Sequence, residues 1–306
     1  MLTSISITKL FNLYTYNLDL HTEDSNVCFI TGPNGYGKTS LLNILNYIYS
    51  GDWEKLTRIP FEKVSLTFSD DARFSITQER KYLQEIESDE RSSETVSLTI
   101  DFQLTSSDLY SFEWTNVAES NIVPDKNIEL FFESHPVYYI RDGRLYSPDR
   151  IPTITRCVKD MRGFLNNSSL AETPQFKEKV EVFKKIISTS DFADKTLQID
   201  ARYGFRFILN NEDKTILSPE SLSSGEQHLT VMAFELLFMA PDDSLVLIDE
   251  PEISFHMLWQ VDFLKNLDLI LAVRKLQCIV ATHSPQIFNM KWKLSVDLFT
   301  QAGLNH

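Results

Sequence analysis

The stretch Val27-Cys28-Phe29-Ile30-Thr31-Gly32-Pro33-Asn34-Gly35-Tyr36-Gly37-Lys38-Thr39-Ser40-Leu41-Leu42 decides how the rest of the chain is read. Its first four residues are apolar and suit a buried strand. From Thr39 onward, Leu41, Leu42, Ile44, Leu45 and Ile48 recur at the spacing of one helical face. Between strand and helix stand three glycines, and residues 32–39 match the pattern G-x-x-x-x-G-K-[ST]. Glycines let backbone wrap closely around a phosphate and turn its N–H groups inward, and the following helix adds its positive end. This predicts a phosphate cradle in which Asn34, Gly35, Tyr36, Gly37, Lys38, Thr39 and Ser40 hold nucleotide. Lys38 reaches the β- and γ-phosphates, and the Thr39 hydroxyl is a Mg²⁺ ligand.

Outward from this point the chain divides by pattern. Ahead of it, Leu2, Ile5, Ile7 and Leu10, then Leu18 and Leu20, read as strands. Residues 60–115 alternate with period two, as in Val64-Ser65-Leu66-Thr67-Phe68 and Val96-Ser97-Leu98-Thr99-Ile100, and predict antiparallel sheet. A strand over 136–140 follows. The middle turns helical, with Thr173-Pro174 as N-cap and first-turn pair and Phe176, Val180, Phe183 and Ile187 on one face. A hairpin with Tyr203-Gly204 at its turn leads to Leu222. The spacing then predicts helix 226–239, strand 244–248, helix 257–272, strand 277–281 and a closing strand near Leu294-Ser295-Val296. Such alternation with continuous apolar strands argues for a mostly parallel, buried sheet.

Three further segments carry chemistry. Leu245-Val246-Leu247-Ile248-Asp249-Glu250 is a buried strand ending in two acids. Asp249 is placed to hold Mg²⁺, and Glu250 to orient and deprotonate a water. Leu222-Ser223-Ser224-Gly225-Glu226-Gln227 is a turn feeding a helix, whose hydroxyl, N–H groups and dipole suit a phosphate. Ala281-Thr282-His283-Ser284-Pro285 sets an imidazole at the end of an apolar strand.

These segments, in this order, resemble the P-loop, signature motif, Walker B strand and switch histidine of ABC-type ATPases and SMC heads. Leu222-Ser223-Ser224-Gly225-Glu226-Gln227 is similar to the LSGGQ signature, and 249–256 to the combined Walker B and D-loop. The long β-rich stretch differs from transporter subunits, and no sustained heptads mark an SMC coiled coil. The sequence looks most like compact ATPases of anti-phage systems: Septu and retron-associated ATPases and the ATPase domain of OLD-family nucleases. The resemblance implies one ABC-type domain over 1–306, of α/β fold. Its parts are a mostly parallel core sheet, an antiparallel β lobe and a helical lobe inserted at about 146–240. It implies an ATPase using ATP and Mg²⁺, with Glu250 and His283 catalytic. Ser223, Ser224, Gly225 and Glu226 would serve the nucleotide of a second copy. It also implies ATP-dependent homodimers or a higher oligomer. OLD-type nucleases continue into a Toprim domain, for which no room remains after the switch histidine, so the expected effector, such as a nuclease, is a separate protein. A RecF-like role at DNA ends or junctions is the alternative reading.

One position departs from the pattern: Gly143 stands where the resemblance places a Q-loop glutamine, so either Gln78 or Asp142 substitutes or hydrolysis is slow. Phe11, Tyr14 and Tyr16 are candidates to stack on adenine or to pack as core.

Composition narrows the rest. The formal net charge of −14 does not support binding to nucleic-acid phosphates. No apolar run approaches the ~18 residues of a membrane span. Cys28, Cys157 and Cys278 have neither zinc spacing nor a disulfide pattern, which fits a reduced cytoplasm.

Overall fold

The computed structural model describes residues 1–20, 22–82, 94–104, 108–116, 126–141, 153–190, 192, 194–253 and 255–302. The chain begins with β1 (Leu2–Leu10), β2 (Tyr14–Asp19) and β3 (Val27–Thr31), followed by α1 (Lys38–Ser50) and α2 (Trp53–Thr57). Four strands follow: β4 (Lys63–Phe68), β5 (Arg73–Tyr82), β6 (Glu94–Gln103) and β7 (Leu109–Thr115). Next come α3 (Lys126–Ser134), β8 (Val137–Ile140), α4 (Thr153–Asn166), α5 (Ser168–Ala171) and α6 (Pro174–Thr189). The remainder is β9 (Lys195–Asp200), β10 (Gly204–Leu209), β11 (Ile216–Leu217), α7 (Ser224–Phe234), β12 (Ser244–Asp249), α8 (Met257–Leu271), β13 (Leu276–Ala281), β14 (Ser295–Asp297) and α9 (Leu298–Gln301).

The fold is α/β. Its centre is a sheet ordered β14-β3-β13-β12-β8, with every neighbouring pair parallel. The second sheet, β2-β1-β4-β5-β6-β7, is antiparallel throughout. A third, β11-β10-β9, is a small antiparallel sheet. All six residues of β12 and all six of β13 are buried, because helices and sheet cover both of their faces.

Side-chain alternation in the central strands builds two cores. Cys28, Ile30, Leu245, Leu247, Ile279 and Ala281 join α1, α3 and the inner face of the antiparallel sheet. Val27, Phe29, Val246, Ile248, Cys278 and Val280 join the helical side, with Phe183, Phe205, Phe207, Phe234 and Phe263. The central sheet is therefore a wall between the β lobe and the helical lobe, and its carboxyl edge is reached from both.

Local chemistry sets several boundaries. The Thr173 side chain accepts from Phe176 N, with Pro174 in the first turn, as its sequence predicts. The hairpin turns over residues 201–203, and Gly204 is the first residue of β10 at φ 80°. The predicted helix 226–239 is α-helical only through Phe234. Over Glu235–Met239 it widens to a π-helical turn closed by Ala240 N to Glu235 O at 2.8 Å. The buried Arg274 guanidinium donates to the carbonyls of Leu237 and Ala240 at the end of this turn, which have no partner further along the helix.

Candidate functional site

The β3–α1 turn places glycines where its backbone is left-handed. Gly35 and Gly37 have φ of 85° and 84°, and Gly37 is the left-handed N-cap of α1. A Cβ on Gly37 would stand 2.8 Å from Leu10 Cδ2, so β1 closes directly over the loop. Tyr16 adds a second tie: its hydroxyl donates to the Tyr36 carbonyl at 2.7 Å.

Lys38 opens α1 and is 5% exposed. Its amine donates to the carbonyls of Gly32 (2.8 Å) and Pro33 (3.2 Å), so it is folded back into its own loop. Burial holds the amine below the ordinary lysine range, and the carboxylates of Glu250, Asp249 and Glu252 oppose that shift. The Thr39 hydroxyl donates to Asp249 Oδ1 at 3.2 Å, and Tyr139 from β8 donates to Asp249 Oδ2 at 3.3 Å. Thr39 and Asp249 thus present two hard oxygen donors side by side, the kind Mg²⁺ takes together with phosphate and water.

Beyond Asp249 the backbone leaves the strand. Glu250 has φ 44°, and its N–H donates to Ala281 O at 2.9 Å. The turn aims its carboxylate at the loop after β13, where His283 Nε2 lies 2.8 Å from Glu250 Oε1. The other ring nitrogen, Nδ1, is 3.3 Å from Lys38 Nζ. An ammonium can only donate, so Nδ1 accepts and the proton sits on Nε2, donated to Glu250. Lys38, His283 and Glu250 form one chain of polar contacts that joins the phosphate loop to two segments more than two hundred residues later.

Three contributors were not singled out by sequence. Glu252 Oε1 accepts from Thr282 Oγ1 (2.8 Å), His283 N (2.6 Å) and Ser284 N (3.2 Å). Gln260 on α8 accepts from Ser284 Oγ at 2.7 Å. Tyr139 holds Asp249. Glu252 alone had a sequence signal, as a third acid within four residues of Asp249.

Other predicted residues fall differently. Asn34 and Gly35 are exposed on the loop, with Ser40 half-buried on α1. Ser223 caps α7 and forms a reciprocal capping box with Glu226. Glu226 is 5% exposed, receives Ser223 N at 2.8 Å and pairs with Lys195 at 2.8 Å. Its carboxylate is committed within the lobe, whereas Ser223 and Ser224 remain exposed. Among the described residues, no hydrogen bond links 223–226 to 32–40.

Gln78 does not stand in for a Q-loop glutamine. It is 6% exposed on β5, accepts from Phe61 N and Arg80 Nε, and donates to Ile59 O, fixing the antiparallel lobe. Asp142, Gly143, Arg144, Leu145 and Ser254 lie outside the described residues, as do 146–152 at the start of the inserted lobe. Tyr16 is fully buried and packs as core; Tyr14 stacks on Tyr36 with centroids 5.1 Å apart, and Phe11 stays exposed. A cleft of about 550 Å³, lined by Ser244, Lys275 and Gln277 among others, lies at the opposite, amino end of the central strands.

Residues 27–289 match the family described as "AAA domain, putative AbiEii toxin, Type IV TA system". The chain belongs to this AAA family. The match spans every motif above, from β3 to the loop after β13. A comparison with curated proteins gives no match. Among solved structures, this AAA chain is similar to an Smc head bound to the C-winged helix domain of ScpA, at 16% identity over 94% of this chain and 90% of that one, TM-score 0.49. It is also similar to a Pyrococcus furiosus Smc head with an extended coiled coil, bound to the C-terminal domain of ScpA (13% identity, 94% and 90% covered, TM-score 0.46). A third is the SMC head domain from Thermotoga maritima (13% identity, 96% and 92% covered, TM-score 0.44). No described helix of the AAA chain is long and apolar enough to cross a membrane.

Proposed function

We propose that the chain binds and hydrolyses ATP with Mg²⁺, that two copies close around the nucleotide, and that closure regulates a separate effector in anti-phage defence. One observation carries the reading: the Lys38–His283–Glu250 chain stands beside the Thr39–Asp249 pair at the carboxyl edge of the parallel sheet. Ligands of open α/β sheets bind at that edge.

In this reading ATP draws the Lys38 amine off the Gly32 and Pro33 carbonyls onto its phosphates. Loop N–H groups and the start of α1 take the remaining phosphate charge. Thr39 and Asp249 hold Mg²⁺, which when bound neutralises charge building on the phosphate oxygens. Glu250 Oε1 is taken by His283, so Oε2 accepts a water proton as that water attacks the γ-phosphate. His283 holds Glu250 in place through its Nε2–H, while its Nδ1 accepts from the Lys38 amine. Ser223 and Ser224 are exposed at the start of α7 and join no P-loop residue of their own chain, which supports a role toward the nucleotide of a second copy. The toxin and TA system named in the family description support control of an effector.

The test is Glu250→Gln, which keeps shape but cannot take the proton. Phosphate release should fall by about 10²–10⁴-fold. ATP should remain bound, and size-exclusion chromatography with ATP and Mg²⁺ should show a persistent dimer. Wild-type turnover in this variant, or a monomer under all nucleotide conditions, refutes the corresponding part of the reading.

A further inference from the structure

Glu252 has a place that the proposed reaction does not use. It lies two residues beyond Glu250, past Pro251, and its carboxylate is hydrogen-bonded into the turn after β13. One oxygen, Oε1, receives three donors from three consecutive residues: the Thr282 hydroxyl, the His283 N–H and the Ser284 N–H. The other, Oε2, is buried and has no hydrogen-bond partner. A carboxylate oxygen left buried without a donor costs free energy. The arrangement persists because the opposite oxygen gathers so much of the turn.

Within the turn, Ser284 N also donates to Thr282 Oγ1 at 3.0 Å, but the His283 N–H has Glu252 as its hydrogen-bond partner. Thr282 is fully buried, and its N–H continues the strand contact to Ile30 O at 3.0 Å. After Thr282 the chain leaves the sheet, and the His283 side chain is 33% exposed. Its imidazole must still reach Lys38 Nζ at 3.3 Å with one nitrogen and Glu250 Oε1 at 2.8 Å with the other. Two contacts on opposite sides of one ring demand a fixed backbone, and the three bonds to Glu252 supply it. Gln260, receiving the Ser284 hydroxyl, fixes the far end of the same turn.

We propose that Glu252 is the positioning residue for His283, acting on turnover only through the imidazole it orients; this rests on the ATPase reading above. Glu252 touches neither nucleotide nor the attacking water. Its carboxylate anchors residues 282–284, so that the ring spans the amine and the catalytic acid.

The experiment compares E252A, E252Q, H283A and the E252A/H283A double variant, each checked for folding by thermal melting. Misplacing a reacting group by about 1 Å costs on the order of 10²-fold, so E252A should lose about 10²-fold in kcat with KM near the wild-type value. E252Q keeps an amide oxygen for the three donors and should recover most of that loss. The double variant should turn over no more slowly than H283A alone, because residues acting as one unit are not additive. Side-chain ¹⁵N NMR, with the His283 signal assigned by its loss in H283A, should show that ring shifted in E252A and near its wild-type position in E252Q. Losses that multiply in the double variant, an unmoved His283 signal in folded E252A, or an E252Q no faster than E252A would each overturn the proposal. A wild-type chain that hydrolyses no ATP would instead refute the ATPase reading, while the His283 signal would still decide whether Glu252 sets the ring.

Discussion

Replacing Gly37 and Gly35 by alanine, one at a time, separates two physical costs in the phosphate loop. Both glycines have φ near 85°, so alanine at either carries the left-handed backbone penalty of about 1–2 kcal/mol. At Gly35 nothing lies within 4 Å of the added Cβ, and the penalty ends there. At Gly37 the Cβ would stand 2.8 Å from Leu10 Cδ2, and Leu10 is fully buried in the core under β1. Forcing a methyl into a packed core costs about 1–3 kcal/mol more. The expected destabilisation is therefore about 1–2 kcal/mol for Gly35→Ala and about 2–5 kcal/mol for Gly37→Ala. An unfolding entropy near 2.1 cal/mol/K per residue makes 1 kcal/mol worth about 1.5 °C in a chain of 306 residues. Differential scanning fluorimetry without nucleotide should then give Tm drops of about 2–3 °C and about 3–8 °C. Equal drops would mean that β1 does not close over the loop, and the contact between Leu10 and the phosphate cradle would be wrong.

Lys38→Ala removes a charge-assisted donor worth about 1.5–3 kcal/mol, so calorimetry with a non-hydrolysable ATP analogue should show about 10- to 10²-fold weaker binding; unchanged affinity would remove Lys38 from the site. Lys195→Met leaves the Glu226 carboxylate buried without its cation, a change that costs about 3–5 kcal/mol in comparable pairs. Urea unfolding should show a loss at the lower end of that range, because the Ser223 N–H still serves Glu226; a midpoint like wild type would contradict the pairing. Burial pushes the Cys28 and Cys278 thiols up to about 12 and raises Cys157 as well. Iodoacetamide at pH 8 should leave the native chain unlabelled by mass spectrometry and modify three cysteines after denaturation. Rapid labelling of the native chain would refute that burial.

The β3–turn–α1 segment was legible because its information is local: an apolar run, glycines where φ is positive, and a 3.6-residue period follow one another without a break. The strands carrying Asp249 and His283 were legible for a related reason. A strand covered on both faces reads as an unbroken apolar run, and its polar neighbours mark where it meets solvent. What failed to show was pairing between distant segments. Gln78 resembled a candidate nucleotide ligand, because a glutamine in sequence carries no sign that its amide will be spent on Phe61, Ile59 and Arg80. Nothing in the sequence around Glu226 signals that Lys195, on a strand thirty-one residues earlier, pairs with its carboxylate. The Leu237 and Ala240 carbonyls beyond α7 are met by Arg274, whose guanidinium arrives from beyond the next strand and helix. In each case the deciding partner is fixed by topology and leaves no local trace.

The backbone at Glu250 has a different bearing. Its φ of 44° belongs to the left-handed region, which a glycine or asparagine would occupy more easily. An amino acid chosen for conformational ease alone would not be glutamate. The strain, of order 1–3 kcal/mol for such a residue, is drawn from the stability of the whole domain and concentrated at the hinge between a rigid strand and a turn. Relaxing that hinge toward glycine would make the protein sturdier and leave the carboxylate unplaced. Robustness and chemical competence thus pull against each other at a single peptide unit.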